Sequence, residues 1–219
     1  MQPKDFRMQI LAIDTASPFP SVTLHGPGGT WEEALPDGRR ASEELLPAIA
    51  RCLAAAAATL AGCDRIAVCA GPGSFTGLRV GLATAWALGR AAGVPVEAVP
   101  TLEALAETLR PTGETRVVAA LDAGRGEVVL STFDLGGARA RPEGETVRLP
   151  LGEARARIAG VATVALPPDL LFAGFERPAP SASRALALAV ARSPGGRSPS
   201  RLEGIYSRPS AAEEKHGAP

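Results

Sequence analysis

Residues 9–29, QILAIDTASPFPSVTLHGPGG, and residues 117–137, VVAALDAGRGEVVLSTFDLGG, share one plan. Each carries an apolar strand to an aspartate, Asp14 or Asp122, then a turn, a second strand and a glycine-rich hairpin. A repeat of this size predicts two related lobes facing each other. The 219 residues suffice for two small lobes, and 46% hydrophobic with 21% charged residues fits an ordinary globular chain.

The pattern after the first repeat completes a βββαβαβα order. Residues 8–13 read as a strand buried on both faces, 21–26 as its return, GPGG as the hairpin turn and 30–35 as a third strand. A helix is predicted over 43–61, with Ser42 as N-cap, Glu43 and Glu44 favoured by the dipole, and Leu46, Ile49, Leu53 and Leu60 as its apolar stripe. Pro47 is expected to kink it or delay its start. Strands at 65–70 and 94–99 flank a helix over 75–92, and a short helix covers 101–109. The second half is thinner. Residues 137–182 give modest strand signals at IAGVATVAL and LLFAGF, 181–193 a helix capped by Ser181 or Ser183, 194–200 a flexible break, and SRPSAAEEK a short closing helix. The expected division is a first lobe over 8–100, closed by residues 201–216, and a smaller second lobe over 101–200.

Charge and composition exclude several functions. Formal net charge is zero, so the basic footprint that grips nucleic acid unaided is missing. Cys52, Cys63 and Cys69 lack C-x-x-C spacing and read as reduced, buried thiols. With only His25 and His216, a histidine-based metal cluster is not expected. Residues 1–7 lack an apolar leader core, and Arg79 and Arg90 interrupt the most apolar helix, so no membrane segment is expected.

The stretch AGPGSFTGLRVGLATAWALG, 70–89, carries the chemistry. It fails the phosphate-loop template, because the glycine spacing is wrong and lysine is absent, and G-x-G-x-x-G fails by one residue. A generic anion site at the helix start remains open, formed by Gly73, Ser74 and Thr76 with Asp14 and Asp122 nearby. Equally, Ser74 or Thr76 caps the helix. Gly77, Gly81, Ala85 and Gly89 recur every four residues and share one face. Three internal glycines together cost about 3 kcal/mol against alanine, so close packing must offset them. Leu78, Leu82 and Trp86 form a second stripe beside that seam. One stripe packs on the sheet; the other packs on the 43–61 helix or on a partner chain. If the seam is for a partner, a bulky residue at Gly81 or Ala85 breaks pairing and leaves the fold intact.

ILAIDTAS, LLPAI, AGPGSFTGLRVGLATAWALG, PTLEALA, LDAGRGEVV and the late IYSR together resemble the bacterial TsaB family, also called YeaZ. The resemblance covers residues 8–130 well, with Ala41 standing where many members have His. It implies an actin-like ATPase fold (ribonuclease H-like) in two duplicated βββαβα lobes, the second reduced. It implies a non-catalytic subunit for tRNA threonylcarbamoyladenosine modification, paired with the catalytic TsaD subunit. Pairing would use Leu46, Ile49, Leu53, Gly77, Leu78, Gly81, Leu82, Ala85 and Gly89 on the two first-lobe helices. A TsaE-type ATPase joins the assembly, tRNA is met only through the complex, and a homodimer is left open. No cofactor is expected, with weak ATP or ADP binding confined to the complex, in the cytoplasm. The competing reading is a kinase or ATPase of the same fold, with Asp14 near Mg²⁺ and phosphate. A Ser–His–Asp hydrolase lacks its G-x-S-x-G elbow.

From charge alone, the isolated chain is expected to leave tRNA unshifted in a gel at physiological ionic strength. A steep salt-dependent shift would contradict this.

Overall fold

The structure is a computed structural model that describes residues 8–36, 39–166 and 181–193. The LLFAGF strand, the 194–200 break, the closing tail helix and the 201–216 closure fall outside the described residues. The first sheet has the order β3-β2-β1-β4-β5, built from β1 (Ile10–Asp14), β2 (Ser21–Gly26), β3 (Gly29–Ala34), β4 (Arg65–Cys69) and β5 (Val96–Val99). β1 pairs antiparallel with β2 and parallel with β4. The second sheet runs β10-β6-β7-β8, with β9 also on β7. Its strands are β6 (Arg116–Gly124), β7 (Glu127–Asp134), β8 (Arg141–Pro142), β9 (Val147–Pro150) and β10 (Ala162–Leu166). Here β6 pairs antiparallel with β7 and parallel with β10, which repeats the pattern around β1. The expected two-lobe α/β duplication is therefore present, with the third strand of the second lobe reduced to two fragments.

Alternation along the strands sets the layers. Leu11 and Ile13 turn to a cluster with Leu45, Ile49, Cys52, Leu82 and Ala85. That cluster joins α1 (Arg39–Ala55) and α2 (Phe75–Ala92) to one face of the first sheet. Ile10 and Ala12 turn to the other face, against α3 (Thr101–Glu107) and α5 (Ala182–Arg192). The same cluster takes in Val117, Ala119, Val129 and Phe133, so α3 and α5 lie between the two sheets. Val118, Ala120, Val128 and Leu130 face outward to α4 (Leu151–Ile158), a helix the sequence reading did not anticipate. The five layers are α1/α2, sheet, α3/α5, sheet, α4.

Two boundaries move. α1 starts before Ser42 and ends at Ala55, so Ser42 lies inside it rather than capping it. Its end is a Schellman turn: Ala58 N–H donates to the Leu53 carbonyl at 2.9 Å, Ala57 N–H to Ala54 at 3.0 Å, and Ala57 takes φ +50°. The alanine run favours helix, but Leu60 and Cys63 must return to the core beside β4. Pro47 neither delays nor ends α1; it lies on the exposed side, where water can serve the carbonyl left without an N–H. The second boundary concerns α5. Assigned above to the second lobe, it packs on β1, β2 and β4 of the first sheet. The buried Ser183 hydroxyl bonds both Ser21 Oγ and Thr23 Oγ1 at 2.8 Å and fastens it there.

The glycine seam of α2 faces its own sheet. A Cβ on Gly77 would stand 1.8 Å from the Thr15 carbonyl oxygen, on Gly81 2.3 Å from Thr15 Oγ1, and on Gly89 2.3 Å from Val96 Cγ2. Replacing Gly81 or Ala85 with a bulky residue therefore strikes the fold itself, contrary to the expectation of an intact monomer. Gly77→Ala should lower unfolding free energy by about 3 kcal/mol, the upper range for overpacking, despite alanine's better helix propensity. Urea melts check this; an unchanged midpoint contradicts it.

Candidate functional site

The first candidate place is the crossing of the turn after β1 with the loop that opens α2. Asp14 is fully buried at the end of β1. Its Oδ1 accepts from Ala16 N–H at 2.9 Å and Ser17 N–H at 3.1 Å, and its Oδ2 from Ser17 Oγ at 2.5 Å. The Cys69 thiol also hydrogen-bonds to it. Burial raises the Asp14 carboxyl above its ordinary value of 3.8, against these hydrogen bonds, which favour the charged form. Burial, and then the Asp14 charge, pushes the Cys69 thiol well above its own ordinary value, which removes it as a nucleophile.

The loop is closed by the protein's own groups. Ser74 N–H donates to the Ala16 carbonyl at 2.8 Å, and Thr15 Oγ1 donates to the Gly77 carbonyl at 2.7 Å. Ser74 Oγ accepts from Gly77 N–H at 3.2 Å, so Ser74 is the N-cap. A Cβ on Gly73 would lie 2.2 Å from the Ala16 oxygen. Thr76 is exposed beside this loop. Asp122 does not match Asp14. β6 runs past it through a bulge to Gly124, its Oδ1 accepts from Gly124 N–H at 2.7 Å, and it is exposed. Of the expected anion residues, Asp14 and Ser74 are thus engaged within the protein, while Thr76 and Asp122 are exposed. Ser74 and Gly77 amides serve internal acceptors, and Asp14 serves its own turn.

The second place is the outer face of α1 and α2. Among the described residues the exposed large hydrophobic side chains are Leu46 at 56%, Phe75 at 36% and Trp86 at 53%, all on these two helices. Arg79 stacks over Phe75 with 3.9 Å from guanidinium carbon to ring centre, and Arg90 lies 5.9 Å from the Trp86 ring. This corrects the seam expected from sequence. Ile49, Leu78, Gly81, Leu82, Ala85 and Gly89 are buried in the chain's own core, with Gly77 against Thr15. Of that set Leu46 is exposed and Leu53 half-buried. Trp86, placed in a packing stripe with Leu78 and Leu82, points outward instead. The inward arc of α2 centres on Gly81 and Ala85, and its helical period carries residue 86 out of that arc.

Sequence reasoning missed a buried charge network. Glu107, 3% exposed, accepts from Arg110 Nε at 2.6 Å, Arg192 at 2.5 Å and Ala140 N–H at 2.6 Å. Glu97 pairs with Arg65 at 3.3 Å and with Arg139, which also holds Glu103. Burial raises the Glu103 carboxyl even beside Arg139. The visible signal was Glu103 and Glu107 four apart in the otherwise apolar TLEALAETL. Cys52, Cys63 and Cys69 are free and buried, and no metal-holding cluster of His, Cys, Asp or Glu occurs among the described residues. No described helix is long and apolar enough to cross a membrane.

The family model described as TsaD, tRNA N6-adenosine threonylcarbamoyltransferase, matches residues 36–173. Over 127 residues the chain is 43% identical to an uncharacterized protein of Mycobacterium tuberculosis H37Rv, covering 57% of this chain and 58% of that one. It is 37% identical over 127 residues to the tRNA threonylcarbamoyladenosine biosynthesis protein TsaB of Escherichia coli K12, covering 58% and 55%. The match thus spans a little over half the length of these curated relatives. The solved structure of YeaZ from Pseudomonas aeruginosa superposes with a TM-score of 0.73 at 29% identity, over 91% of this chain and 99% of that one.

The Asp14 turn generates a pH test. A raised folded-state value means the native chain binds this proton more tightly than the unfolded chain. The group's contribution is therefore greatest below its ordinary value and is lost as pH rises towards the folded value. Asn keeps the shape and an acceptor oxygen without the charge. In urea melts, the stability of Asp14→Asn relative to the parent should rise from about pH 3 to neutrality. A pH-independent difference sinks this account.

Proposed function

Because the chain belongs to the family of that model, among its TsaB (YeaZ) members, we propose that it acts in tRNA threonylcarbamoyladenosine formation as a non-catalytic pairing subunit. It docks on a TsaD-type catalytic protein through the outer face of α1 and α2. The observation that carries this reading is the confinement of exposed Leu46, Phe75 and Trp86 to two neighbouring helices, with Arg79 and Arg90 against the aromatic rings. Trp and Arg dominate binding energy where apolar surface is removed from water, and a patch of this kind on an otherwise polar helix face fits a partner. The enclosed Asp14, with its oxygens held by Ala16 and Ser17, weighs against the kinase reading, which needs that carboxylate at a nucleotide.

On this reading the chain needs no cofactor of its own. A TsaE-type ATPase and tRNA join only the assembled complex, nucleotide binds weakly and there alone, and the assembly works in the cytoplasm. Without its partner the chain buries the same face in a homodimer.

Co-expression with the TsaD-type protein of the same genome, followed by sizing, tests the proposal. Wild-type chain should co-elute as a complex. Leu46→Glu with Trp86→Glu should weaken the complex by more than about 2 kcal/mol, the scale of interface hot spots, with an unchanged melting temperature. An undiminished complex refutes the proposed face.

A further inference from the structure

A cavity of about 430 Å³ lies between the lobes, away from the α1/α2 face. Val129, Ser131 and Phe133 alternate along β7 and share the side turned toward the first lobe. Pro72 of the first lobe and Leu102 of α3, the helix between the sheets, face them, and Pro142 of β8 lies beside them. The size falls at the small end of ligand sites, which span roughly 300–1,000 Å³.

One buried polar group in this largely apolar wall has no partner. Ser131 is 1% exposed, lines the cavity, and its Oγ makes no hydrogen bond. Buried hydroxyls in native folds are paired, as Ser183 is with Ser21 and Thr23. The charged groups at the cavity are committed elsewhere. Glu103 is held by Arg139, and Arg148 lies 3.6 Å from Glu127. One carboxylate and one guanidinium, each with its own counter-ion, give no net field for an ionic ligand. The proline and phenylalanine rings favour a flat apolar body.

We propose that this cavity binds a small uncharged molecule with a ring-sized apolar body and one hydroxyl or carbonyl group that pairs with Ser131 Oγ. Because both lobes contribute walls, the ligand stabilises their junction, by mass action on the folded state. The site is independent of partner docking, since none of the residues named here lies on the α1/α2 face.

Benzyl alcohol and toluene, as probes differing by the hydroxymethyl group, test this on the full chain with ¹³C-labelled methyl groups. Benzyl alcohol should move the Val129 and Leu102 methyl resonances saturably and raise the melting temperature. Toluene should bind at least about fivefold more weakly, because it leaves the site's hydroxyl unpaired. Ser131→Ala should make the two probes equal while leaving the fold intact, and Ser131→Thr should restore the preference. Absence of saturable shifts at these methyls overturns the proposal. So does a preference for benzyl alcohol that survives Ser131→Ala, or a crystal structure in which a buried water holds Ser131 Oγ and the probe does not displace it.

Discussion

The carbonyl groups of Thr15 and Ala16 press against α2 where no side chain fits. Hypothetical Cβ atoms on Gly73 and Gly77 would lie 2.2 and 1.8 Å from them. That contact fixes the rotation of α2 about its axis. Once Gly77 and Gly81 must face the end of β1, Ala85 and Gly89 follow at the same angle and meet β4 and β5. Phe75, Arg79, Trp86 and Arg90 are then left outside. The outward composition of the helix is a geometric consequence of its inward one. The helix-propensity cost of the glycines, about 1 kcal/mol each, is offset by backbone approach inside the monomer rather than by a second chain.

The same crossing turns two amides of the phosphate-like loop to internal acceptors. An anion at a helix start needs free amides. Ser74 gives its N–H to Ala16, and Gly77 gives its N–H to the Ser74 cap. On the opposite side of the sheet, the Glu97, Glu103 and Glu107 carboxylates gather Arg65, Arg110, Arg139 and Arg192 from both lobes. Removing one partner from such a network leaves an uncompensated charge, which is far costlier than never having had the pair. The lobes are thus locked by polar groups as well as by the shared core around Leu105, Val117 and Leu186.

Much of the fold was legible because period and punctuation agreed. The apolar run before Asp14, the GPGG turn and the Ser74 cap each appear in the structure at the predicted residues. α4 was not legible: LGEARARI is polar, and its helix depends on Ala154 and Ile158 reaching the second sheet. The site was read with its faces exchanged. Spacing identified two stripes on α2, but not which one the sheet would take. That choice rests on Thr15, sixty residues away in the chain, whose carbonyl position no local pattern encodes. The aspartate pair misled for a similar reason. The bulge at Asp122 and the hairpin with Arg125 at φ +59° carry the second strand on, where the first chain turns away.

The position of α5 has a consequence for synthesis. The middle strand of the first sheet, with Ile10 and Ala12, is covered by residues that leave the ribosome some 170 positions later. Until Leu186 and Val190 arrive, half of the oldest sheet must remain greasy and open, and the hydroxyls of Ser21 and Thr23 must stay with water. Vectorial folding of the N-terminal half alone therefore ends in an unfinished sandwich, vulnerable to aggregation or to chaperone capture, until the late helix packs on it.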